Sequence, residues 1–471
     1  MRGNDAVPMC LNRRPRRTSS GLPWVLPTSP NDHIFSKTAL IRGTLQTALI
    51  SARITTCASQ LRRCSSECRS SNISLQGTFM RTFASQLVGT LVLLTVTLSY
   101  AVAQDDAGKT VAPQDSEGWD VIRTHFDPPA AFANDFGLYR SPLLFNDGSS
   151  VRSPADWKRR RIELLDQWTG LLGQWPPLIT EPQVEVLETE RRENFVQQKI
   201  RFLWTPNEST TGYLLVPDGA GKRPAVLSVF YEPETAIGFN NPHRDFALQL
   251  AKRGFVTLSI GTTEASEAKT YALYYPDIDT ATVQPLSMLG YAAANAWHVL
   301  ASRPEVDAQR IGIVGHSFGG KWAMFAGCLF DRFAAVAVSD PGIMFDVHPS
   351  VNYWEPWYLG WHSRPWRKRG VITETNPGRG LYLQLLEQKR DLHELHALMA
   401  PRPFLVSGGA VDPPSRWRAL NHLVKINEQL GYRHRVGMTN RPDHSPNEQS
   451  NAVIYGFFDH FLRAGAKGRN E

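Results

Sequence analysis

The chain has little cysteine. Five occur in 471 residues, and four of them (Cys10, Cys57, Cys64 and Cys68) precede residue 80, which leaves Cys328 alone in the remainder. Residues 80–471 therefore cannot close an internal disulfide or build a multi-cysteine metal site. That part also lacks an excess of positive charge. Eleven of the 51 Lys/Arg and three of the 44 Asp/Glu lie in residues 1–79, so this stretch alone is +8 while the whole chain is +7 and the rest sums to −1. Without a basic field, the body offers nothing that would gather nucleic acid. The longest uncharged apolar run, Leu87–Leu98, is shorter than the roughly 20 residues a membrane span needs. Internal repeats and low-complexity tracts are missing from residue 104 onward. A composition of 42% hydrophobic and 20% charged residues excludes a disordered or fibrous chain.

What is present begins at Met80. Arg81 supplies a short positive segment, Leu87–Leu98 an apolar core, and Ala101-Val102-Ala103 before Gln104 a small-x-small cleavage pattern. Residues 80–103 read as a secretory signal, which predicts a secreted or periplasmic protein with no stable membrane span after cleavage. Such a signal works at an N-terminus. Residues 1–79 are therefore expected to be a mis-assigned or disordered extension, with translation starting at Met80.

Residues 104–182 read as an N-terminal extension that packs on the main domain. Within it, Trp157, Ile162, Leu164, Leu165, Trp168, Leu171 and Leu172 are expected to form the apolar face of a helix after Ser153 or Asp156 as cap, and Pro176-Pro177 ends the run. Residues 183–465 read as one catalytic domain. Three β-rich runs at 184–188, 196–204 and 211–216 suggest an antiparallel start. Buried strands at 225–231, 256–260, 311–314, 334–338, 404–406 and 435–439 then alternate with helices at 244–252, 286–301, 321–330, 416–430 and 447–462. This alternation predicts an α/β fold: a mostly parallel, eight-stranded-type sheet flanked by helices. The 50 or so residues from Asp340 to Asp391 break the rhythm with Trp354, Trp357, Tyr358, Trp361 and Trp366. An insertion there would sit over the C-terminal strand ends, where such sheets hold ligands.

The strongest chemical signal is Gly315-His316-Ser317-Phe318-Gly319, a G-x-S-x-G motif between a predicted strand and a predicted helix. A sharp turn there would expose the Ser317 hydroxyl as a nucleophile, and the N–H of Phe318 would face the developing oxyanion. A serine needs a base and an acid. His444 is the only histidine in the loop after the last strand, so it is the expected base. Asp412, at the end of the turn after strand 404–406, is the first choice for the acid, with Asp340 as the alternative. The second oxyanion donor should follow strand 225–231; Pro233 has no N–H, which leaves Tyr231 or Glu232, with Tyr231 favoured. Trp354 and Trp357 are candidate faces for sugar rings, unless the insertion packs only on itself. No metal site is expected.

These residues resemble the α/β-hydrolase superfamily. The phrases Gly-His-Ser-Phe-Gly-Gly and Ala-Pro-Arg-Pro-Phe-Leu-Val-Ser-Gly-Gly (400–409) look most like its acetyl xylan esterase and dienelactone-hydrolase-like branch, over about residues 184–462. The resemblance implies an acyl-serine intermediate and no metal or organic cofactor. The expected substrate is a small-molecule or carbohydrate ester, cleaved by a secreted serine esterase. The chain departs from the branch in three ways. Only about 80 residues separate the signal from the domain, so the β-propeller of prolyl oligopeptidases is absent. Ser317 stands where dienelactone hydrolases use cysteine. The oxyanion loop has Tyr231-Glu232-Pro233 in place of a His-Gly start. A peptidase of the same fold, or a non-catalytic binding protein that kept it, are the competing readings.

Overall fold

The buried strands call for cover on both faces, and the computed structural model of the chain supplies it. It describes residues 117–239, 242–262, 272–345, 354, 358–367 and 372–463. Residues 1–79, the expected signal at 80–103 and Trp357 lie outside the described residues. The first helix, α1 (Glu117–Ile122), precedes α2 (Pro154–Leu172). Ser153 caps α2 by accepting the Asp156 N–H at 3.1 Å, Pro154 fits its first turn, and Gly173 ends it at φ 91°. Arg160 on α2 is buried because its guanidinium is spoken for: it donates to the Pro142 carbonyl at 3.1 Å and to Glu163 at 2.7 Å.

Nine strands follow: β1 (Val184–Arg191), β2 (Phe195–Leu203), β3 (Ser209–Pro217), β4 (Arg223–Phe230), β5 (Val256–Gly261), β6 (Val306–His316), β7 (Ala335–Ser339), β8 (Phe404–Gly408) and β9 (Val436–Asn440). They form a single sheet in the order β1-β2-β3-β5-β4-β6-β7-β8-β9. The pairs β1-β2, β2-β3 and β3-β5 are antiparallel, and every pair from β5-β4 to β8-β9 is parallel. These nine strands correspond to the nine β-rich runs of the sequence, with β1 an exposed edge strand beside an eight-stranded-type sheet.

Among the described residues the further helices are α3 (Phe246–Lys252), α4 (Pro285–Ala301), α5 (Phe318–Leu329), α6 (Leu381–Glu387), α7 (His393–Ala397), α8 (Trp417–Gln429) and α9 (Glu448–Phe458). Strands β5, β7 and β8 are buried at every residue, as a sheet covered on both faces requires. Helix α4 is buried nearly all round, which explains its run of Ala, Leu and Met without a polar face. Residues 172–177 cross it: Trp175 Nε1 donates to Ser287 Oγ at 2.8 Å and Tyr291 Oη to the Pro177 carbonyl at 2.7 Å. Among the described residues no helix is long and apolar enough to cross a membrane. The parallel register brings the C-terminal ends of β4, β6, β7, β8 and β9 to one rim, and each is followed by a turn bearing a candidate residue.

Candidate active site

Strand β6 ends at His316, and Ser317 adopts φ 54°, ψ −114° before α5 begins at Phe318. Positive φ at a serine is a strained turn that is stable only where its surroundings dictate it. Here two glycines do so. A Cβ on Gly315 would be driven into the carbonyl of Gly319, and one on Gly319 into the carbonyl of Val229. The Ser317 N–H is anchored on the Ser339 carbonyl of β7 at 2.8 Å. The hydroxyl is thereby turned toward the rim.

His444, in the loop after β9, places Nε2 2.9 Å from Ser317 Oγ. Its Nδ1 lies 2.7 Å from Oδ2 of Asp340. If Nδ1 carries the proton, Nε2 is left as an acceptor for the serine hydroxyl. The carboxylate in this chain of bonds is Asp340, not the first choice, Asp412. Asp340 follows β7 directly, is fully buried and sits at φ 47°. Burial alone would raise its pKa. The His444 hydrogen bond and the N–H groups of Asp412 (2.8 Å) and Val411 outweigh burial and hold the carboxyl below the usual carboxylate range. Gly409 N–H adds a further bond at 2.7 Å.

Asp412 faces the other way. Its oxygens accept the N–H groups of Gly342 and Ile343, both at 2.7 Å, and Arg416 Nε at 3.2 Å. Burial pushes its pKa up, and the neighbouring Asp340 charge adds to that, against Arg416 and the two N–H groups. The two turns are therefore reciprocal. The backbone around Asp412 holds Asp340, and the side chain of Asp412 holds the backbone after Asp340.

The aromatic expectations divide. Tyr231 is half-buried, and its ring stacks on Phe318 at 4.7 Å, with Phe318 stacked in turn on Tyr358 at 5.8 Å. Because the backbone of Gly319 presses on Val229 and Phe230, the turn carrying Tyr231 adjoins the start of α5. Trp354 is not an open platform: only 3% of it is exposed. Phe345 meets it edge-on at 5.2 Å, and the Lys321 ammonium lies 4.3 Å from its ring centre. Among the described residues of the insertion, Trp366 is the exposed tryptophan (46%), with the Arg364 guanidinium 5.3 Å from its ring.

Three residues near the site escaped the sequence reading. Lys321, one turn beyond Ser317, is buried and donates to the Pro341 carbonyl. A lysine inside the otherwise apolar FGGKWAMFAGCL was the available signal. His316 is fully buried, and its Nδ1 meets the Ser339 carbonyl (3.0 Å) and hydroxyl (3.1 Å). Its ring lies 4.8 Å from that of His444, and burial holds its pKa well below the ordinary histidine value. Arg441, three residues before His444, is also buried. Among the described residues no group of three or more His, Cys, Asp or Glu could hold a metal ion. A cleft of about 700 Å³ lined by Phe136, Asn421 and Tyr432 among others contains none of the site residues.

With this geometry in place, comparison with known proteins becomes informative. Residues 210–345, from β3 past Asp340, match the dienelactone hydrolase family. The chain is 25% identical over 353 residues to a 4-O-methyl-glucuronoyl methylesterase from Phanerochaete carnosa, covering 68% of this chain and 80% of that one. In structure it is similar to a glucuronoyl esterase from Solibacter usitatus, with a TM-score of 0.53 at 16% identity over 69% of this chain and 98% of that one. A carbohydrate esterase family 15 glucuronoyl esterase from Caldicellulosiruptor kristjansonii gives 0.50 at 21% identity, over 71% and 93%. At such identities the structural likeness speaks for the fold. The chain has the α/β-hydrolase fold, resembles the dienelactone hydrolase family over residues 210–345, and is a carboxylic ester hydrolase.

Proposed function

We propose that the chain is a serine esterase acting on esters of carbohydrate acids, uronate esters foremost, through Ser317, His444 and Asp340. The observation that carries this reading is the imidazole of His444 spanning Ser317 Oγ (2.9 Å) and Asp340 Oδ2 (2.7 Å). In this reading Ser317 Oγ attacks the ester carbonyl carbon while His444 Nε2 takes its proton. The proton passes to the departing alcohol as the C–O bond breaks and the acyl group stays on Ser317. Water then repeats the sequence and releases the acid. Asp340 holds the tautomer and stabilises the imidazolium. The N–H groups of Phe318 and Tyr231 are the proposed oxyanion donors, each worth roughly 3 kcal/mol in the transition state.

The choice of a uronate ester over an acetyl ester rests on the glucuronoyl methylesterases that the chain resembles. The two differ in which side of the scissile bond holds the sugar. An ester panel therefore tests the proposal: the methyl ester of 4-O-methylglucuronate, acetylated xylan, p-nitrophenyl acetate and an aminoacyl-p-nitroanilide. The uronate ester should give the highest kcat/KM, and the anilide should not turn over. Ser317→Ala should cost on the order of 10⁶-fold in kcat. A preference for the anilide would instead favour the peptidase reading, and an unchanged rate in Ser317→Ala would remove the serine mechanism. Export through residues 80–103 belongs to the same proposal, since polymeric carbohydrate esters lie outside the cell. A mature protein beginning at Gln104 is the expected result of N-terminal sequencing.

A further inference from the structure

The loop that carries His444 is not held by regular structure: β9 ends at Asn440 and α9 begins only at Glu448. Something else must keep the imidazole within reach of both Ser317 and Asp340. Arg441 is 5% exposed, and its guanidinium fills the gap. Nε donates to the Ser445 carbonyl at 2.8 Å, and Nη2 to the His444 carbonyl at 2.7 Å and to Ser339 Oγ at 3.1 Å. Nη1 donates to the Ser407 carbonyl (2.8 Å), Ser407 Oγ (3.1 Å) and the Gly408 carbonyl (3.2 Å). All five N–H groups have acceptors, and these lie on the histidine loop, the end of β7 and the end of β8.

Ser339 ties this fork to the other two members. Its carbonyl receives the Ser317 N–H, its carbonyl and hydroxyl meet His316 Nδ1, and the next residue is Asp340. We propose that Arg441 is a positioning residue for ester hydrolysis: through Ser339, Ser407 and the carbonyls of His444 and Ser445 it locks the histidine loop in register with the nucleophile and acid turns. The inference rests on the triad reading above. A lysine would keep the charge but could not reach three loops with a rigid fork. A displacement of about 1 Å at a catalytic group can cost about 10²-fold in rate.

The test compares Arg441→Met and Arg441→Lys with the wild type in kcat, KM and melting temperature, alongside fluorophosphonate labelling of Ser317. Arg441→Met should lose about 10²-fold in kcat with KM within about three-fold. Arg441→Lys, which keeps the charge and part of the bonding, should lose only about ten-fold in kcat. A folded Arg441→Met with kcat within two-fold of wild type, or with its loss carried by KM in place of kcat, overturns the inference. If the methionine variant does not fold, unchanged kcat in Arg441→Lys does so. Labelling of wild-type Ser317 reports on the triad separately. A wild type that neither labels nor cleaves esters defeats the earlier reading, whereas labelled wild type with unaffected arginine variants defeats this one alone.

Discussion

Asp340 and Asp412 are both buried carboxylates at adjacent strand ends, and only their partners tell them apart. Asp340 ends on the imidazole, and Asp412 on two backbone N–H groups and Arg416. Asp340→Asn should therefore lower kcat by on the order of 10⁴-fold, because an amide stabilises the wrong tautomer of His444. Asp412→Asn should keep kcat within about ten-fold, yet lose about 1–3 kcal/mol of stability by offering an NH₂ to backbone donors. Steady-state kinetics and urea unfolding of both variants check this; the reverse ordering of kcat would return the acid role to Asp412. The serine and histidine that the structure brings together were legible in the sequence because each has a local signature, the glycine-flanked Ser317 and the lone His444 of the last loop. The carboxylate that joins them was not. Asp340-Pro341-Gly342 and Gly408-Gly409-Ala410-Val411-Asp412 both read as acids at strand ends, and chain order alone cannot say which turn bends toward the imidazole. Arg441 was illegible for a related reason: beyond the carbonyls of its own loop, its acceptors are on Ser339, Ser407 and Gly408, more than 30 residues away, and leave no residue pattern.

Strands and helices were more readable than contacts, because they depend on short-range periodicity. The mostly apolar, uncharged runs of β5, β7 and β8 declare burial on both faces, and the apolar α4 declares the same. The insertion was harder: its tryptophans suggest an exposed platform, but Trp354 spends its ring on Phe345 and Lys321 instead. The junction of β6 and α5 shows how tightly elements constrain one another. Gly319→Ala would push a methyl group into the backbone of β4, which cannot move without breaking its pairing with β5 and β6. It should destabilise the fold by about 2–3 kcal/mol, at the upper end of overpacking costs, and remove activity by displacing Ser317. Gly170 on α2 has open space around it, so Gly170→Ala should stabilise by about 0.5–1 kcal/mol through helix propensity. Chemical denaturation of the two variants should give shifts of opposite sign. Equal shifts would mean that the crowding at Gly319 is relieved by backbone movement.

The N-terminal residues 132–140 are joined to the rest of the fold through buried histidines, and this makes the stability of the molecule sensitive to acid. His393 Nε2 meets the Arg140 carbonyl at 2.7 Å, and His422 Nε2 meets the Phe136 carbonyl at 3.1 Å, with the two rings 5.0 Å apart. The Nδ1 of His393 is buried without a hydrogen-bond partner, so a second proton there would add a charge and an unsatisfied donor. Burial lowers the pKa of His393 and His422 to about 4 and of His396 to about 3. Each is neutral in the folded chain well below the ordinary histidine range, whereas the unfolded chain takes up its protons near pH 6.5. Between those values the unfolded state binds more protons, so stability is fully present above about pH 6.5 and falls as the pH drops toward 4. The slope approaches about 1.4 kcal/mol per pH unit for each such histidine. Asp340, held below the carboxylate range, adds a further loss only at lower pH. The melting temperature should therefore decline steadily from pH 7 to pH 4.5. His422→Gln, which can still donate to the Phe136 carbonyl but takes up no proton, should flatten part of that decline. A melting temperature constant over this window, or a His422→Gln profile parallel to the wild type, would show that these histidines do not link the N-terminal segment to acid stability.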